Sequence, residues 1–166
     1  MSQTSTELPV SGVIPIDQIL GDDAEDIRLL QGMASKAHRY ISNFAWCRSV
    51  REAYFGDGYG GIVAVFFFHI EPSRPEVDEW LWVVVGDLPS AYLVTDNCKT
   101  PSQSLERYID VMSEWVELAK EGRSSEDVIP VNAPATPESA KMLEGRLTVL
   151  REKIVPAFRL NEVVRA

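Results

Sequence analysis

Two stretches of this chain leave no side for water. Ile62-Val63-Ala64-Val65-Phe66-Phe67-Phe68-His69-Ile70 and Trp80-Leu81-Trp82-Val83-Val84-Val85 read as strands that are apolar on both faces. Successive residues of a strand point to opposite sides. Trp80, Trp82 and Val84 therefore share one face, and Leu81, Val83 and Val85 share the other. Such a sheet needs cover twice over, from the chain's own helices or from another chain.

Around these stretches the pattern predicts an N-terminal helix, a four-stranded antiparallel meander and two C-terminal helices packed on the sheet, an α+β layout. Residues 1–12 read as a disordered leader, and 13–166 as a single domain opening on an extended or short-strand segment, Val13 to Leu20. Asp22 and Asp23 sit where a helix cap belongs, ahead of apolar positions Ile27, Leu30, Ala34, Ala37, Ile41 and Phe44 at single-face spacing. Strands are expected over 48–55, 62–70, 79–86 and 91–96, joined by short connections that favour antiparallel neighbours. Thr100-Pro101-Ser102-Gln103 is a strong helix start, with cap, proline and capping-box glutamine in order. Leu105, Tyr108, Ile109, Met112, Trp115, Val116 and Ala119 line its apolar face. A connector over 123–135 contains Val128-Ile129-Pro130-Val131, a candidate short extended piece. Thr136-Pro137 then starts a third helix bearing Ala140, Leu143, Leu147, Leu150, Ile154 and Phe158 on one side. Incomplete cover of the sheet would be remedied by homodimerisation or by a partner protein.

The net charge is −9 over 166 residues, and it is spread along the chain without an acidic tail. A basic footprint for phosphates is missing, which argues against nucleic acid as a partner. The polar N-terminus does not resemble a secretory signal, and the apolar run Ile62 to Phe68 is too short for a membrane helix. The expected setting is cytoplasmic, with no membrane partner. Cys47 and Cys98 then read as free, buried thiols, with a disulfide between them as the lesser alternative.

Several motifs invite chemistry and lose it on context. Gly56-Asp57-Gly58-Tyr59-Gly60-Gly61 fits G-x-G-x-x-G, but a strand follows where a dinucleotide loop needs a helix. With Ile62-Val63 it fits a kinase glycine loop too, yet Phe66 stands where the next strand needs lysine. A glycine-rich hairpin turn is the expected role. The loop from Glu71 to Glu79 gathers Glu71, Glu76, Asp78 and Glu79 around Arg74, and reads as solvated. His69 and His38 are the only histidines, so a histidine-rich zinc site is excluded. No nucleophile motif is present, and Cys98 ahead of a helix is the thiol to probe for reactivity. No catalytic residue, metal or cofactor is expected.

The second helix carries Glu106, Asp110, Glu114, Glu117 and Glu121 along one strip opposite its apolar face. Like charges at i, i+4 destabilise a helix by about 0.2–0.5 kcal/mol each. The strip is either an ordinary solvated face or a docking surface for a basic protein partner, steered by charge. The leading functional expectation is a non-enzymatic protein-binding module that uses this strip or the aromatic sheet face with Trp80 and Trp82. Bacterial toxin-immunity proteins are small, acidic and α+β, an analogy of size, charge and fold alone. A secretion-chaperone-like dimer is a sibling reading, weakened because the second helix follows all the strands. From a different class, a small-ligand protein or enzyme would place Tyr54, His69, Glu71 and Tyr92 in a pocket between sheet and helices.

Overall fold

The computed structural model describes residues 7–122 and 134–165. Its sheet has five antiparallel strands in the order of the chain: β1 (Ile14–Pro15), β2 (Cys47–Tyr59), β3 (Val63–Pro72), β4 (Trp80–Gly86) and β5 (Leu88–Leu93). The fold class is therefore the expected α+β one, with a short extra strand at the β2 edge. Helix α1 (Ala24–Ser42) lies between β1 and β2, and α2 (Pro101–Lys120), α3 (Pro137–Val149) and α4 (Val155–Arg165) follow the sheet.

Register sorts the side chains. Val63, Val65 and Phe67 of β3 face the same side as Trp82, Val84, Ala91 and Leu93, and there meet Leu105, Tyr108, Met112 and Phe158 from the C-terminal helices. Ala64, Phe66, Phe68 and Ile70 face the other way, with Leu81, Val83 and Val85, against Leu30, Met33, Ala37 and Ile41 of α1. Phe66, Phe67 and Phe68 are consecutive and all fully buried, which only a sheet clad on both sides allows. Each contributes about 1.5–3 kcal/mol by leaving water. The helices thus divide between the two faces as layers of a sandwich. Among the described residues both faces are covered by the chain's own helices, so the incomplete cover that homodimerisation or a partner protein would remedy is not found there.

Caps behave as their residue types dictate. Asp23 accepts the Asp26 N–H at 2.8 Å ahead of α1. Thr100 Oγ1 accepts the Gln103 N–H at 3.2 Å, while the Gln103 amide oxygen reaches back to the Lys99 N–H at 2.8 Å. The third predicted helix is not regular throughout. Pro156 has no N–H to give, and just before it residues Leu150–Ile154 form a π turn in which Val155 N–H bonds Leu150 C=O. The extra residue turns Val155 inward beside Ile154 and Phe158.

The glycine run is a packing device. Gly56 and Gly58 lie within β2, and a Cβ on Gly58 would stand 2.8 Å from Leu30 of α1 and 2.7 Å from Ala64. Asp26 of α1 accepts the Gly60 N–H at 2.6 Å. Only Gly61 of the run, with φ +79°, supplies the turn conformation expected of it. The expected strand at 91–96 instead runs over Leu88–Leu93, because Gly86 and Leu88 already pair across Asp87. Residues 7–12, read as leader, are in place: Val10 is buried and Ser11 N–H bonds Lys99 C=O at 2.9 Å. Residues 1–6 and the Val128–Val131 piece lie outside the described residues. No described helix is long and apolar enough to cross a membrane.

Candidate functional site

The acidic strip of α2 lies beside cations of the helices that follow and of α2 itself. Glu106 pairs with Arg159 of α4, Asp110 with Arg151 of the π turn at 3.5 Å, and Glu117 with Lys120 at 3.6 Å. Lys120 also holds Glu144 of α3. Glu114 stands exposed, and Glu121 is the exposed C-cap residue. Such exposed pairs contribute little each. They offset part of the charge on this strip, at Glu106, Asp110 and Glu117.

The two tryptophans of the aromatic face part company. Trp82 is fully buried and its indole N–H bonds Cys98 C=O at 2.9 Å, so it cannot contact a partner. Trp80 is partly exposed, the outer end of a row that continues inward through Phe67 to Trp82.

At that outer end the sheet assembles a polar cluster. His69 on β3 lies opposite Glu52 of β2 and Trp80 of β4. Its ring is parallel to the indole of Trp80 within 4°, with centroids 3.9 Å apart. Nδ1 faces Glu52 Oε1 at 3.4 Å and Nε2 faces Glu79 Oε2 at 3.1 Å. Tyr54 donates its hydroxyl to the second oxygen of Glu52 at 2.6 Å. The Tyr54 and His69 hydrogen bonds hold the Glu52 carboxyl below its ordinary range. Burial, reinforced by Glu52, pushes the Tyr54 phenol up to about 12, so it stays a donor at neutral pH. His69 is 15% exposed while both glutamates are 54% exposed, which leaves both carboxylates in reach of solvent or a cation.

The four residues expected around one pocket do not share one. Tyr54 and His69 lie on the α2 side of the sheet. Tyr92 pairs with Val83 and points to the α1 side, between Phe44 and Trp46 at 5.1 Å from each. Glu71, at the end of β3, accepts from Ser49 Oγ at 3.2 Å and pairs with Arg48 at 3.8 Å. Two clefts among the described residues lie elsewhere. One of about 290 Å³ is lined by Gly12, Ile14, Asp57, Pro101, Glu162 and Arg165. A more apolar groove of about 370 Å³ runs past Ile62, Met142 and Val149. In the first, Asp57 is buried and its carboxyl is pushed up by that burial, partly offset by Asn161 at 2.9 Å, Arg165 at 3.4 Å and the Gly58 N–H. Glu162 accepts from the Ser102 N–H at 2.8 Å and its hydroxyl at 2.9 Å, so the α2 N-terminus is already occupied by a carboxylate.

Both cysteines are free and buried, and burial pushes both thiols up, the opposite of an activated nucleophile. Among the described residues, no group of three or more His, Cys, Asp or Glu side chains is placed to hold a metal ion. Arg74 pairs with Glu76 in the open loop at 3.5 Å, while Glu79 has left that loop cluster for His69. Glu52 is the residue of this site that the sequence pattern did not single out. It stands seventeen residues before His69, and only the β2–β3 register brings the two together. No family model, no curated protein and no solved structure matches this chain.

Proposed function

We propose that the protein is a binding module for a basic protein partner, docked where Glu52, Trp80 and Glu79 meet at the end of the sheet. One observation carries the reading: a partly exposed indole flanked by two half-exposed carboxylates, all held in place by neighbours. Side chains fixed before binding lose less entropy on docking. Aromatic anchors ringed by charge are a composition that interfaces favour, and a net charge of −9 steers basic partners at low salt. A toxin-immunity role is one instance of this class. The setting we infer is cytoplasmic and reducing, supported by two buried cysteines that remain unpaired.

The test is affinity capture with the wild type and with a Glu52→Lys/Glu79→Lys variant, at low and high ionic strength. The expected result is one stoichiometric basic protein, bound by the wild type, released by salt and not retained by the variant. Equal retention by both proteins refutes docking at this surface.

A further inference from the structure

His69 has a carboxylate at each ring nitrogen, and this sets a hydrogen-bonding condition that only one protonation state meets. Ionised carboxylates are acceptors only, and a neutral imidazole has a single N–H. A neutral ring can therefore satisfy Glu52 at 3.4 Å or Glu79 at 3.1 Å, and turns a lone pair toward the other. An imidazolium donates to both. Its cation also lies against the π face of Trp80, ring over ring at 3.9 Å. The ionisable groups around the ring are Glu52 and Tyr54 from β2, Glu79 at the approach to β4, and, further along β3, Glu71 with its partner Arg48. Tyr54 donates to Glu52 from the side away from His69, which favours the ionised form of that carboxylate.

We propose that His69 is a proton-operated clasp: as imidazolium it ties Glu52 of β2 to Glu79 beside β4 across β3, and on losing its proton it frees one carboxylate for a basic partner. Histidine is the side chain whose ordinary range of titration spans physiological pH. When the proton leaves, the cluster gains one negative charge and one glutamate loses its bond to the ring. Binding of a cationic partner then strengthens as pH rises. The binding half rests on the docking reading above, whereas the clasp itself does not.

Two measurements on the full chain separate these halves. Ring nitrogen NMR with tryptophan emission, followed between about pH 5 and pH 8, reads the clasp directly. Two protected ring N–H signals are expected at the acid end, with one lost as pH rises. Trp80 emission should rise in the same step, because a stacked imidazolium quenches indole. The emission step should vanish in His69→Gln, and also in Trp80→Phe, which keeps the histidine and removes the reporter. A single ring N–H at the acid end, or an emission step that survives both variants, overturns the clasp. Binding of a fluorescent oligolysine peptide is then measured across the same range. The expected gain is about fivefold toward high pH, the scale of one exposed ion pair, and absent in His69→Gln. Binding that ignores pH while the emission step is present overturns the coupling. No binding at any pH, with the emission step present, removes the docking reading and leaves the clasp supported.

Discussion

Gly86→Ala should be among the most damaging single methyl groups this chain can receive. Gly86 ends β4 with φ +155° and turns the chain into β5. A Cβ there would lie 2.2 Å from Ile62 O and 2.8 Å from Val63 Cα, both backbone atoms with no rotamer to retreat into. The backbone must shift, and two hydrogen bonds are at risk: Asp87 N–H to Ile62 C=O at 3.0 Å, and Lys36 Nζ to Gly86 C=O at 3.1 Å. Backbone strain contributes about 1–3 kcal/mol, and two weakened hydrogen bonds about 1 kcal/mol each. The sum is about 3–5 kcal/mol, set against a total stability on the order of 5–15 kcal/mol for a domain. Urea unfolding followed by far-UV circular dichroism reads the loss as a shifted midpoint. Gly32→Ala is the matched control: it lies inside α1, and a Cβ there meets nothing within 4 Å. It should stabilise by about 0.5–1 kcal/mol through helix propensity. A Gly86→Ala protein within about 1 kcal/mol of wild type would refute the reasoning, since that shift is ordinary for a tolerated substitution.

Three further outcomes are expected. Trp82→Phe strands the buried Cys98 carbonyl and leaves a void beside Phe67; urea unfolding should show a loss of about 2–4 kcal/mol, and under 1 kcal/mol would mean the indole hydrogen bond is dispensable. Glu162→Ala and Ser102→Ala, combined in a double-mutant cycle, should show a coupling of about 1–2 kcal/mol between α4 and the start of α2; additive losses would deny the link. Asp57 binds its proton more tightly folded than unfolded, so its contribution to stability is fully present below the unfolded carboxyl range and is lost as pH rises through the folded one. In unfolding midpoints measured across that acid range, Asp57→Asn should remove this fall, and an unchanged pH profile would assign it to another group.

Much of the fold was legible because its signals are local. Apolar residues on both faces of Val63–Ile70 and Trp80–Val85 demanded a sheet covered twice, and it is. Asp23 and Thr100 cap the helices they announce, since a side-chain oxygen can reach an N–H three residues on without help from the rest of the fold. The strand at Leu88–Leu93 was misplaced because a turn of one residue at Asp87 depends on Gly86 fitting against Ile62, a contact that no local pattern records.

The candidate site shows where the local signal ends. Sequence determined that α2 carries an acidic strip, but only the packed structure set Arg151 and Arg159 beside Asp110 and Glu106, more than forty residues away. Sequence put Trp80 and Trp82 on one face; tertiary packing buried the second and left the first at the rim. The Glu52–His69–Glu79 clasp draws one residue from β2, one from β3 and one from the approach to β4. Periods of two and 3.6 residues fix which side a residue faces. Which charges then meet is decided by strand register and helix placement, through the burial of an apolar core that Glu52, Glu79, Glu106 and Asp110 do not enter.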